Sequence, residues 1–248
     1  MDIIRAHNYK IDVNLGDRSF EKLSRAFPAL GNLPSLKRIQ ARMEFLSGVK
    51  PVTYHCCVDS CCCFAGPFAT QIACPYCGKP RFTPSGKPRK LFHYIPLTSR
   101  LLALYTNPEL AKMLRYRHDY QSQPGTSADV FDGSHYQQLR RTPVTIDGKS
   151  LGYKFFSQPT DIAIGLSTDG FCPFKHRKQT CWPIIAFLYN FPPEIRCKLA
   201  SIFCLGVIPG PNAPKDYDSF LVPAIEELLK LARGEPAFDA YADCAFML

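Results

Sequence analysis

Three features of the 248-residue chain predict an α+β protein: amphipathic helical patterns at the front, two short-spaced cysteine pairs behind them, and three β-prone runs followed by a helix at the back. The composition agrees with a folded chain. With 46% hydrophobic, 21% charged and 12% aromatic residues it is unlike disordered, collagen-like or coiled-coil sequences, and its 22 prolines point to many loops. No apolar run approaches the roughly 20 residues of a membrane span, since Pro183 and Asn190 interrupt the best one, Trp182 to Phe191. No membrane partner is expected. Met1 to Lys10 intersperse Asp2, Arg5, His7 and Lys10, so no signal-peptide core is read there and an intracellular, reducing setting is expected.

Residues 1–50 read as a helical leader. Ser19 is a candidate cap before Phe20, Leu23, Ala26 and Phe27, and Ser35 before Leu36, Ile39, Met43 and Leu46, with Pro28 and Gly48 as stops. Residues 51–95 form a cysteine cluster followed by a basic loop rich in Pro and Gly. Residues 96–158 read as a helical pair, capped at Ser99 and at Asn107 with Pro108, and a polar connector with local order. In residues 159–248 the β-prone runs Asp161 to Ser167, Trp182 to Tyr189 and Ser201 to Ile208 precede a helix over Ser219 to Ala232. That helix is predicted to bury Phe220, Ala224, Ile225, Leu228, Leu229 and Ala232 and to expose Glu226, Glu227 and Lys230, with Pro223 tolerated near the first turn. The residues from Ala240 to Leu248 look like the beginning of a further strand.

Cys57 and Cys61 make one close pair, Cys74 and Cys77 another, with twelve residues between. Two such pairs match the knuckles of a zinc ribbon, in which four thiolates surround one structural Zn²⁺. Gly78 allows the second knuckle to turn so that backbone amides face sulfur. His55, Cys56, Cys62 and Cys63 are alternative ligands, and a disulfide framework or simple buried thiols are the competing readings. Cys172, Cys181, Cys197, Cys204 and Cys244 read as small buried hydrophobes.

The net charge of +9 is concentrated in residues 1–100, which hold 15 basic and 6 acidic side chains. Lys79, Arg81, Lys87, Arg89 and Lys90 cluster beside the proposed ribbon. A basic front suits a polyanion such as DNA, although a solvated surface would give the same count. Further on, Asp169 stands at the end of an apolar run and before Gly170. A carboxylate on a rigid strand end can hold a divalent cation for phosphoryl transfer, and an ordinary Asp-Gly turn is the alternative.

The run Asp161 to Phe174, Trp182 to Ile185, Tyr189 to Arg196 and Gly206 to Leu221 resemble the core of CACTA-type transposases, in the fungal branch known as Plavaka elements. Asp129 to Tyr136 and the cysteine cluster resemble the same family. The resemblance implies an RNase H-like α/β domain of three strands, a helix and a fourth strand, whose acidic residues hold two Mg²⁺ ions. By motif Asp169 is the first of these carboxylates. The fourth strand would begin near Leu248, so the back of the chain is expected to be an incomplete RNase H-like domain and the whole a truncated, catalytically incomplete copy. The resemblance also implies a nuclear location and weak electrostatic DNA binding. The alternative function is a non-catalytic, zinc-dependent nucleic-acid-binding or interaction module.

Overall fold

The computed structural model describes residues 2–173 and 180–248, so Phe174, the last residue of one transposase-like motif, lies outside the described residues. The chain forms two compact units, residues 1–50 and 51–248.

The first unit consists of α1 (Asp2–Asp12), α2 (Asp17–Ala26) and α3 (Leu36–Ser47). Phe20, Leu36 and Ile39 are buried at its centre, with Leu15, Leu23, Leu33 and Met43 packed around them. Ser35 caps α3 by accepting from the Arg38 amide, and the Glu21 carboxylate accepts from Leu36 N at 2.8 Å, which supplies a second orphan donor with a partner. α2 is capped at Gly16, three residues before the predicted Ser19 cap.

The second unit is built on a five-stranded antiparallel sheet in which Val52–His55, Leu91–Tyr94, Ile202–Pro209, Cys181–Leu188 and Ile164–Thr168 are neighbours in that order. β1 (Val52–His55) and β2 (Leu91–Tyr94) flank the cysteine segment. They are followed by α4 (Thr98–Tyr105), α5 (Pro108–Leu114), α6 (Tyr116–Asp119), α7 (Ser134–Leu139) and a hairpin of β3 (Pro143–Ile146) and β4 (Lys149–Lys154). β5 (Ile164–Thr168), β6 (Cys181–Leu188), the short α8 (Pro193–Arg196) and β7 (Ile202–Pro209) come next, then α9 (Asp218–Leu231) and a second hairpin of β8 (Pro236–Asp239) and β9 (Cys244–Met247). The three β-prone runs thus form β5, β6 and β7, a meander in which each strand pairs with the next.

The cysteine segment does not stand apart from this meander. Tyr94 of β2 pairs with Gly206 of β7, and Ile95 N donates to Leu205 O at 2.7 Å, so both strands beside the cysteines extend the same sheet. Gly206 makes this junction sterically open, because a Cβ there would lie 2.7 Å from the His93 carbonyl oxygen.

α9 covers the sheet with Phe220, Pro223, Ala224, Leu228 and Leu231, while Ile225 and Leu229 are exposed, which rotates the helix from its predicted orientation. The physical reason is Glu227. Its carboxylate accepts from Leu97 N, Thr98 N, Thr98 Oγ1 and Tyr94 OH, and so caps α4 from a helix 130 residues away in place of the expected Ser99. Pro223 is the sixth helical residue rather than a first-turn residue.

The chain end is another difference. Residues 244–247 form no lone strand start but pair with 236–239, and Glu235 and Leu248 exchange backbone hydrogen bonds. Two transposase-like motifs meet inside the fold, where Arg196 pairs with Asp129 at 3.0 Å and both side chains are almost fully buried. Arg196 also donates to Phe191 O and Tyr189 O, so these motifs fasten α8 to the segment before α7.

Candidate metal centre and the Asp169 strand end

The first knuckle is a tight turn. Ser60 N donates to Cys57 O at 2.8 Å, Cys57 N donates to Cys62 O, and Ser60 takes a left-handed φ of 64°. The second closes through Gly78 N donating to Cys74 O at 2.9 Å, and Gly78 has a φ of 69° that a side chain would strain. Asp59 N points at Cys57 Sγ from 3.4 Å, an amide–sulfur contact of the kind that stabilises a thiolate.

These turns bring Cys57, Cys61, Cys74 and Cys77 together, with all four Sγ atoms within 4.8 Å of one another. Tetrahedral Zn²⁺ with sulfur ligands at about 2.3 Å places its sulfurs about 3.8 Å apart, so the quartet fits a zinc ion in size, ligand number and donor chemistry. Cys57 Sγ and Cys77 Sγ are 3.5 Å apart. Burial pushes the Cys61 thiol well above its ordinary value, so a metal entering this site must displace protons.

Of the alternative ligands, Cys56, Cys63 and His55 turn elsewhere, while Cys62 packs beside the quartet. Cys56 and Cys63 pair across the first knuckle and join the main core, where burial pushes both thiols up to about 12. His55 Nδ1 accepts from Arg81 Nε at 2.9 Å, and burial together with that guanidinium lowers its pKa. Cys62 is fully buried with its Sγ 3.9 Å from Cys74 Sγ. The later cysteines depart from the expected burial: Cys172, Cys197 and Cys244 are exposed and Cys181 and Cys204 half-buried, because they fall on turns, hairpin strands and outward strand positions.

The five basic residues divide into two groups. Arg81 is held inside the fold by Ala69 O, Gln71 O and His55 and lies over the Phe64 and Phe82 rings. Lys90 is half-buried and donates to Val58 O, Ser60 Oγ and Gly210 O, and burial lowers its pKa. Lys79 pairs with Asp59 at 2.6 Å. Lys87 and Arg89 are exposed.

Asp169 follows the last residue of β5 and is exposed, with one carboxylate oxygen accepting from Gly170 N at 2.7 Å. Phe171 exchanges two backbone hydrogen bonds with Cys181, which fixes this turn against the start of β6. Tyr217 lies near enough for burial and the Asp169 charge to raise its phenol pKa. Among the described residues the cysteine quartet is the one group of three or more His, Cys, Asp or Glu side chains that could hold a metal, so Asp169 belongs to no such group. Asp216 serves as a cap, accepting from Ser219 N and Tyr76 OH, and Asp239 is buried with its Oδ1 accepting from Tyr241 N and Ala242 N.

The part of the chain that relates it to a known family holds the meander, whose first strand runs into the exposed Asp169, and the helix α9 that covers it. Residues 145–248 match a family model described as transposase family tnp2, and this supports placing the back of the chain with transposases. The cysteine quartet lies outside the matched residues, and comparison with curated proteins and with solved structures found no match. No described helix is long and apolar enough to cross a membrane.

Proposed function

We propose that this chain is a transposase-derived DNA-handling protein of CACTA type, close to the Plavaka branch, with a structural zinc site and an RNase H-like strand end that carries the first metal-binding carboxylate. The observation that carries this reading is the tnp2 family match, which spans β5, Asp169 and α9. In this reading Cys57, Cys61, Cys74 and Cys77 hold Zn²⁺, and Asp169 offers one ligand to a hydrated Mg²⁺. DNA phosphates meet the basic surface at Lys79, Lys87 and Arg89, with Arg81 and Lys90 shaping the loop that presents it. The protein acts in the nucleus.

Cleavage by two metal ions needs several carboxylates to hold the cations about 4 Å apart, and Asp169 has no partners in a metal-holding group among the described residues. The chain by itself is therefore expected to bind DNA without cutting it. A second reading, a non-catalytic zinc-dependent nucleic-acid-binding module, is favoured by the contrast between a complete cysteine quartet and a solitary Asp169.

A nicking assay on supercoiled DNA with Mg²⁺ or Mn²⁺, run beside Asp169→Ala to exclude a contaminating nuclease, tests the proposal. No nicking by either protein is the expected outcome. Nicking by the parent that disappears in Asp169→Ala would mean that other acids complete the site.

A further inference from the structure

The contacts around the first knuckle run across the fold to the segment between β7 and α9, residues 209–219. Cys61, one of the quartet, offers its carbonyl oxygen to two consecutive amides, Lys215 N at 3.0 Å and Asp216 N at 2.9 Å. Ser60, fully buried inside the same turn, donates to Pro209 O and Gly210 O. Lys90 reaches Val58 O of the knuckle at 3.0 Å and Gly210 O of the segment, bridging the two. Cys63 N donates to Ser219 Oγ at 2.9 Å, and Tyr76, between the two cysteines of the second knuckle, donates to Asp216 Oδ2 at 2.6 Å.

The far side of the segment touches the Asp169 turn. Pro209 pairs with Cys181, which bridges to Phe171, two residues after Asp169, and Thr180 Oγ1 donates to Pro211 O. A continuous set of backbone contacts thus connects the knuckles to the strand end carrying Asp169.

We propose that a zinc ion bound by Cys57, Cys61, Cys74 and Cys77 is a latch, holding residues 209–219 against the cysteine turns and thereby setting the shape of the Asp169 end of the sheet. The first knuckle is turned by its own backbone hydrogen bonds, and in this proposal four sulfurs around one cation add the restraint that keeps Ser60 and Cys61 in the positions that receive the segment. Without the cation the quartet is a cluster of buried thiols, and the segment loses its acceptor at Cys61 O and its donor at Ser60 Oγ. The inference rests on the zinc reading of the quartet. It adds that the metal positions a remote segment as well as stabilising its own turns, so that Ser60, Lys90 and Tyr76 are positioning residues.

The test uses the full chain with zinc as the probe. Zinc content is measured first, then amide hydrogen exchange with and without a zinc chelator, with the emission of Trp182, the single tryptophan, as a second readout. Trp182 is suited to this because its indole packs against Gly170, next to Asp169. About one zinc per chain is expected, and chelation is expected to speed exchange at Lys215 and Asp216 by about tenfold or more and to shift the emission. Ser60→Ala, which keeps all four ligands, is expected to retain its zinc while exchange in residues 209–216 rises several-fold; this variant also decides the matter should chelation unfold the whole unit. Failure to bind zinc overturns both the metal reading and the latch. Zinc binding with unchanged exchange at 209–219, after chelation or in Ser60→Ala, overturns the latch alone and leaves the zinc site standing.

Discussion

Glu227 shows how one side chain can orient a helix. Burial alone would raise its carboxyl pKa, but the hydrogen bonds from Leu97, Thr98 and Tyr94 outweigh burial and hold it below the usual carboxylate range. A carboxylate with a depressed folded pKa contributes stability that is present above its unfolded value, about 4.3, and is lost as pH falls through the folded value. Glu227→Gln should therefore flatten the fall in stability on acidification below about pH 4.5, as measured by denaturant unfolding at a series of pH values. Glu227→Ala at neutral pH leaves the amide of buried Leu97 without a partner and should cost about 2 kcal/mol. An alanine variant as stable as the parent would show that this cap contributes nothing.

At the scale of elements, β5, β6, β7 and α9 were readable because strand-length apolar runs rich in Ile and Phe, and a helical period after Pro209 to Pro211, leave little choice of type. The orientation of α9 was not readable, since a glutamate counts as outward-facing until its partners at Leu97 and Thr98 are known. The β3–β4 hairpin lies inside the stretch that reads as a connector, although its signal is present: Asp147 and Gly148, both with positive φ, sit between Val144 and Ile146 on one side and Leu151 and Tyr153 on the other. The cysteine quartet was legible from spacing alone, whereas its attachment to residues 209–219 joins positions about 150 apart and leaves no local trace. The attachment of β2 to β7 is similarly hidden, and it can be tested. Gly206→Val forces side-chain atoms against the backbone of His93 and should destabilise the second unit by at least about 2 kcal/mol, read as a lower denaturant midpoint. An unchanged midpoint would mean that β2 is not held at Gly206.

For the whole molecule, the unequal roles of the basic residues shape the expected DNA binding. Arg81 and Lys90 spend their donors within the protein, so the phosphate contacts fall to the exposed Lys87 and Arg89 and to Lys79, which is exposed and also pairs with Asp59. About three contacts predict that log K falls with log salt at a slope of about −3, without preference for sequence, and that replacing Lys87 and Arg89 together by alanine removes about 2 of that slope. Titration of a labelled duplex at several salt concentrations measures both. A flat salt response would remove the electrostatic contact, and an unchanged slope in the double variant would move it elsewhere on the chain.

The strand order has a further consequence in time. β2 ends at Tyr94 and its partner in β7 is Gly206, so more than a hundred residues must be made before the sheet can close. At ordinary synthesis rates of about 5–20 residues per second, the hairpin of β1 and β2 waits on the order of ten seconds with one ladder edge unpaired. Pairings so distant in sequence form slowly and leave that edge open to other chains in the interval. A ribosome-bound chain arrested before β7 should accordingly need chaperone cover, and the yield of folded protein should depend on how quickly residues 95–206 follow the cysteine turns.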